Sequence, residues 1–471
     1  MIILILALGI FARLHRINDL AVFLADQASD STAVLNILHG KLTLLGPITS
    51  IGGFYNGPIV YYLMLPFYWM FRGDPIAGTV FQTTLSVATI PLVYFLGKKV
   101  MNTTAGLFAA FLFAISPLMI DYGRAAFNSY PAIFFSVLIL LIFISLLERF
   151  SLRNTLILGI FIGFIIQMHY FTLSLLLLTL LYPLLFRNRL RSHQYYGILL
   201  LGVITGLTPF LMFELRHQFL NTQLFLNYMM SSQESMRSLI YSLEVWPRVA
   251  GQLLFAGNFS IGIVIMVLTA CTTGYLYKHG KANKQTMSVL LTLFALVFAI
   301  GVIYGRIMQS HYIISFHIPI IILVSLTAYT VLKGKILFLI LVGTILLFVN
   351  IPAWNINNRM HPLQDGLSIR DFKTAARLIQ KDTKSNYNVG MHAQGDNRAM
   401  PLRYTLTLLS EKPESYEDYA SSEILYFLVK KNEPITNLKM WEYTSFGPST
   451  VVQSWDINDS YFLYKLRKRQ S

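Results

Sequence analysis

The chain has 471 residues, 55% of them hydrophobic and only 13% charged, where soluble domains carry roughly 25% charged residues. Its 37 Lys and Arg against 22 Asp and Glu leave a net charge of +15, with the cations in short loops between apolar runs. That placement is the topology signal of a multi-pass membrane protein and argues against nucleic acid as a partner. The single cysteine, Cys271, lies inside an apolar run, which excludes a disulfide framework and a cysteine metal site.

Met1 to Phe11 has no charged region before it and no A-x-A site after it, so it reads as a first membrane helix rather than a cleaved signal. Eleven segments have spanning length and composition: about 1–17, 76–97, 104–121, 129–147, 153–169, 170–186, 194–214, 258–277, 286–304, 311–331 and 335–352. Gly57 to Phe71 is shorter and holds Pro66, so it reads as a helix lying at the interface. Five basic loops fix the sidedness: Lys98–Lys99, Arg149–Arg153, Arg187–Arg191 (with Arg189), Lys278–Lys284 and Lys333–Lys335. They alternate along the chain and place the N-terminus and themselves in the cytoplasm. The first loop, 18–75, then lies outside, as do the turn Asp121 to Pro131, His169, the loop 215–257, the stretch Gly305 to Tyr312 and everything after Trp354.

The expected fold is therefore a polytopic α-helical membrane domain, 1–353, followed by a small extracytoplasmic α/β domain, 354–471. In the second part Ser368 is a suitable N-cap for a helix over 368–382, and YNVGMH, EILYFLVKK and SYFLYKLRK read as strands.

The polar residues that carry chemistry gather on the outer face. Asp26 and Asp30, four residues apart, share a face if 27–39 is helical. As residues alone they read either as N-terminal caps favoured by the helix dipole or as acids held for chemistry. Asp121, Arg124 and Asn128 form one tight turn, either an ion pair at a helix end or a cation and an amide for a lipid-linked phosphate and its sugar. His169 and His311 each end a span and are followed by Tyr170 and Tyr312, with Arg306 close to His311. Tyr61 opens the interfacial helix, where belt tyrosines are common. The sequence has no H-E-x-x-H, Walker A, G-x-G-x-x-G or nucleophile elbow.

The stretches ADQASD, GPIVYY and AAFLFAISPLMIDYGRAAFN, with an outer C-terminal domain, resemble the GT-C superfamily of membrane glycosyltransferases. The resemblance is strongest to bacterial members of glycosyltransferase family 39, related to protein O-mannosyltransferases and lipid A aminoarabinose transferases, and is clearest over 22–131. It implies transfer of a sugar from a polyprenyl-phosphate donor to a lipid, glycan or protein hydroxyl at the outer face of the plasma membrane. The implied base is Asp26, with Asp30 in support. Many relatives carry an Asp-Glu pair, but Gln27 stands in the second place here, so a two-carboxylate metal site at 26–27 is not expected. A divalent metal at Asp26 stays open, and no other cofactor is implied. Donor contacts fall to Arg124, Asn128, Asp121, His169, Arg306, His311, Tyr312 and Tyr61, with Lys41 as a further cation. The outcome would be one displacement with inversion. A transporter or flippase of lipid-linked sugars, or a glycan ligase built on 215–257, are the competing readings.

Overall fold

A computed structural model describes residues 1–49, 51–188, 190–231, 238–382, 386–435 and 438–469. Arg189, one of the basic-loop cations, lies outside the described residues. Each of the eleven expected segments is helical. Among the described residues, six helices are long and apolar enough to cross a membrane alone: Ile76–Val100, His193–Arg216, Phe259–His279, Lys284–Tyr304, Ser310–Val331 and Ile336–Trp354. Thr103–Ile115 and Pro117–Gly123 make a seventh span if taken together across a 61° bend. Ile2–Leu14, Ala132–Glu148, Leu152–Met168 and Tyr170–Leu185 are apolar but shorter. The helix Ile59–Met70 has 12 residues and rises about 18 Å at 1.5 Å per residue, short of a hydrocarbon core of about 30 Å. Its end exposes Trp69 and Met70, as an interfacial helix would.

The bend at Ser116–Pro117 frees backbone carbonyls inside an apolar bundle, where each needs a donor. Arg13 supplies two, through Nη1 to Ala114 O (3.1 Å) and Nη2 to Phe113 O (3.4 Å). Trp354 Nε1 takes Ile115 O at 3.0 Å. The buried Arg13 in the first span is thus a backbone clamp that the sequence reading did not single out.

Leu152–Met168 and His193–Arg216 pack through glycine. A Cβ at Gly159 would lie 2.4 Å from Leu199 O, and one at Gly206 would lie 2.4 Å from Ile160 O. Small residues let the backbones touch, which is how helices associate where no hydrophobic force separates lipid from protein. Gln167 Nε2 seals the pair by donating to Gly206 O at 2.7 Å.

The loop 215–257 holds two further helices, Leu220–Met230 and Ser238–Leu254. After Trp354 the chain forms the helix Ile369–Asp382, strand β1 (Tyr387–Met391), the helix Met400–Leu408, then β2 (Ile424–Lys430), β3 (Ser449–Asp456) and β4 (Tyr461–Lys468). Sheet order is β1-β2-β4-β3, with β1 and β2 parallel and the other pairs antiparallel. The three expected strands are β1, β2 and β4. Ser368 caps its helix as expected: its Oγ accepts Asp371 N, while Asp371 Oδ2 takes Ser368 N at 2.7 Å.

Candidate active site

The segment leading to the acids is fixed first. Val22 N donates to Arg124 O at 3.1 Å, and Val22 pairs with Ala125 in a one-residue parallel bridge. The helix Ala25–Leu38 then starts with Gln27 Oε1 accepting Leu24 N at 3.0 Å. Gln27 is thus used as a helix cap. Asp26 and Asp30 follow one turn apart on this helix.

Asp30 is buried, and Tyr61 Oη donates to its Oδ1 at 2.8 Å. At the next residue, Ser31 Oγ hydrogen bonds Tyr68 Oη at 2.6 Å, two turns beyond Tyr61, so the acid helix is tied twice to Ile59–Met70. Burial pushes the Asp30 carboxyl up to about 7; the Tyr61 hydrogen bond opposes this and the neighbouring Asp26 adds to it. Asp26 is exposed at the cavity wall, yet surrounded by enough protein for burial to raise its carboxyl above the usual range.

Both acids line a cavity of about 730 Å³. Of the residues expected at the site, Asp26, Asp30, Tyr61, Asn128, His169, His311 and Tyr312 all line it. The His169 and His311 rings meet edge to face with centroids 5.3 Å apart, and Tyr312 lies 5.3 Å from His169. Asn128 Nδ2 donates to Met168 O at 3.2 Å, which holds the turn at Asn128 against His169.

Four expected residues do not line it. Arg124 is fully buried elsewhere. Its Nη1 donates to Trp354 O and its Nη2 to Ala12 O, both at 2.6 Å, and Nε reaches Arg13 O at 3.4 Å. The guanidinium expected to hold phosphate is occupied by three main-chain carbonyls. Asp121 faces His361, with Oδ1 3.5 Å from Nε2. Arg306 sits beside the cavity: its guanidinium lies 4.0 Å from the ring centroid of Tyr228, a lining residue, and Nη2 donates to Tyr228 O and Ser231 O. Lys41 is exposed and is not among the lining residues.

The sequence reading missed the aromatic wall formed by Phe54, Tyr170, Phe171, Phe225, Tyr228 and Tyr304. Phe225 and Tyr228 come from Leu220–Met230, seated by the buried Glu214, which accepts Asn221 N and Thr222 N. Asn221 then grips Tyr55 from both sides, accepting its N at 2.5 Å and donating to its O at 2.9 Å. Nothing in the local pattern separates these rings from interfacial aromatics. Among the described residues no three His, Cys, Asp or Glu side chains converge as metal ligands. Asp26 and Asp30 supply two carboxylates without a third donor, a poor fit to a resident metal.

A model of the dolichyl-phosphate-mannose-protein mannosyltransferase family matches residues 56–213, about a third of the chain. No curated protein matches the sequence. The fold is similar to that of ArnT from Cupriavidus metallidurans bound to undecaprenyl phosphate, at 11% identity and a TM-score of 0.62, over 98% of this chain and 97% of that one. It is similar to the Archaeoglobus fulgidus oligosaccharyltransferase AglB in complex with an inhibitory peptide and a dolichol-phosphate, at 11% identity and a TM-score of 0.52, over 91% and 69%. The same oligosaccharyltransferase in complex with Zn and sulfate matches at 12% identity and a TM-score of 0.52, over 91% and 67%. With the family match, these likenesses identify the chain as a multi-pass membrane protein with the fold of the GT-C superfamily of membrane glycosyltransferases.

Proposed function

We propose that the protein transfers a sugar from a polyprenyl-phosphate carrier to an acceptor hydroxyl at the extracytoplasmic face. The observation that carries the reading is the placement of two acids, Asp26 and the buried Asp30, on the wall of an aromatic-lined cavity in this fold. The undecaprenyl phosphate of the ArnT structure and the dolichol-phosphate of the AglB structure support a carrier of this chemistry.

In this reading the acceptor oxygen attacks the anomeric carbon while the bond from that carbon to the phosphate oxygen breaks. The acceptor proton passes to Asp26, and polyprenyl phosphate leaves with the bonding electrons. The anomeric configuration inverts. Phosphate is a good leaving group, so one base suffices and no general acid is required. Asp30, held by Tyr61, keeps a second carboxyl beside the base, and the neighbouring Asp26 helps to hold that carboxyl up.

Negative charge grows on the leaving phosphate and calls for donors. Among the described lining residues there is no Lys or Arg. Phosphate and sugar contacts are therefore assigned to His169, His311, Asn128 and Tyr312, with Arg306 as the flanking cation. The aromatic wall offers ring faces to the sugar and apolar surface to the carrier.

A glycan ligase would carry its charged machinery on the later outer loop. Here Leu220–Met230 presents Phe225, Tyr228 and Met229 to the cavity, which favours a wall over a reaction centre. A transporter asks for ionisable groups along a pathway through the spans. Arg13, buried in the first span, is instead committed to backbone carbonyls. Mass spectrometry of surface lipids, glycans and proteins from cells with and without the protein tests the reading. A sugar modification that disappears with the protein supports it, and identical profiles contradict it.

A further inference from the structure

Resting on the base assigned above, we infer that Gln364 and Tyr404, both from the C-terminal region, are positioning residues for Asp26 and Asp30. The acid site is built from two elements, the helix Ala25–Leu38 and the helix Ile59–Met70 that supplies Tyr61. The C-terminal region grips the approach to the first and the exit from the second.

Gln364 holds the approach. It is fully buried, and its Nε2 donates to Ala21 O at 2.5 Å, five residues before Asp26. Its side chain is fixed from behind, because Oε1 accepts His361 N at 3.2 Å. Its own carbonyl accepts Gln394 Nε2 at 2.7 Å. Tyr404 holds the exit. Its Oη donates to Gly73 O in the turn that leaves Ile59–Met70, and its ring packs on Phe23, three residues before Asp26.

The Tyr404 grip closes on Gly73, which adopts φ +77°. A Cβ there would lie 2.9 Å from Leu35 of the acid helix and 3.0 Å from Leu408 of the helix Met400–Leu408. The close contact of the two helices thus depends on a missing side chain. The ion pair of Lys373 with Asp74 joins the same surfaces, but both side chains are about one-third exposed and solvent screens them. The two buried hydrogen bonds carry the registration. From the membrane side the acid segment is held by the Val22–Arg124 bond and the Gln27 cap. Without the outer grips, the Asp30–Tyr61 and Ser31–Tyr68 bonds would be left to tie the two site elements near the carboxylates.

The test uses the purified full chain as Gln364→Ala, Tyr404→Phe and Asp26→Asn. Tyr404→Phe keeps the ring on Phe23 and removes only the hydroxyl. Three readouts are taken: amide hydrogen exchange, binding of undecaprenyl phosphate, and turnover against pH with a total polyprenyl-lipid extract of the source cells as donor. The first two variants should raise exchange over 22–38 while leaving Ala132–Glu148 unchanged. Undecaprenyl phosphate affinity should stay within about twofold and turnover should fall about 10- to 100-fold, the cost of a misplaced reacting group. The acidic limb of the pH profile should move to lower pH, because a loosened Asp30 is better hydrated. Those results distinguish positioning from a general loss of stability. Unchanged turnover and pH limb, or exchange that rises equally in every helix, would overturn the inference. Full turnover in Asp26→Asn would instead sink the base assignment, so the two failures are separable.

Discussion

Tyr61 donates a hydrogen bond of 2.8 Å to the buried carboxylate of Asp30, joining the helices Ala25–Leu38 and Ile59–Met70 through a side chain 31 residues further along the chain. The bond favours the ionised form of Asp30 against the burial that disfavours it. Tyr61→Phe removes that support and leaves burial unopposed, so the Asp30 carboxyl should rise further above about 7. A protonated Asp30 also repels Asp26 less. The acid pair should therefore titrate as a unit with altered limbs. The expected result is an acidic limb of turnover displaced to higher pH, with activity largely recovered in alkaline buffer. A pH profile superimposable on wild type would show that Asp30 does not report on catalysis.

Arg124 is predicted to matter for folding and not for donor recognition. Its forked donors reach Ala12 O and Trp354 O at 2.6 Å each, a geometry that a lysine ammonium does not reproduce. Arg124→Lys and Arg124→Ala should both lower the yield of monodisperse protein in detergent, measured by gel filtration. The folded remainder should bind undecaprenyl phosphate normally. Normal yield together with lost binding would return Arg124 to the donor site.

The Asp382–Lys465 pair makes a pH-dependent prediction for the C-terminal region. Burial alone would raise the Asp382 carboxyl, but Lys465 Nζ at 2.6 Å and Tyr426 Oη at 2.6 Å outweigh it and hold it below the usual range. A carboxyl lowered in the folded state adds stability that is fully present above its unfolded value of about 3.9 and fades as pH falls through the lower folded value. Asp382→Asn should cost about 2 kcal/mol at pH 7, and the deficit should shrink on acidification below pH of about 4. Proteolysis against temperature at both pH values reads this. An equal deficit at both would contradict the assignment.

The basic loops predict an orientation. Reporter fusions at Lys99 and Lys281 should respond as cytoplasmic, and one at Ser410, next to the Met400–Leu408 helix that packs on the acid helix, as exterior. A cytoplasmic Ser410 reporter would move the acid site to the other face.

The helices were legible because apolar runs of spanning length leave few alternatives, and Asp26, which lines the cavity, drew notice because it stands in a local motif. What escaped was set by long-range pairing. Arg124 looks like a surface cation in its own turn, but its partners are carbonyls 111 to 230 residues away. The cavity's aromatic wall is assembled from Phe54, Tyr170 and Phe225, whose rings pack on one another although no common sequence pattern links them. The edge strand β3 escaped because most of its side chains are exposed, which erases the alternation that marks a half-buried strand. The Arg13 clamp escaped because the need for it arises from a bend in a different helix.

The central claim is that Asp26 takes the acceptor proton. Asp26→Asn keeps the size of the side chain and cannot accept that proton, and its place at the cavity wall lets the amide be hydrated. Purified Asp26→Asn should fold, bind undecaprenyl phosphate as wild type does, and lose on the order of 10²–10⁴-fold in turnover; Asp30→Asn should lose less. Turnover of Asp26→Asn within about twofold of wild type would contradict the account, because a general base cannot be removed at so small a cost.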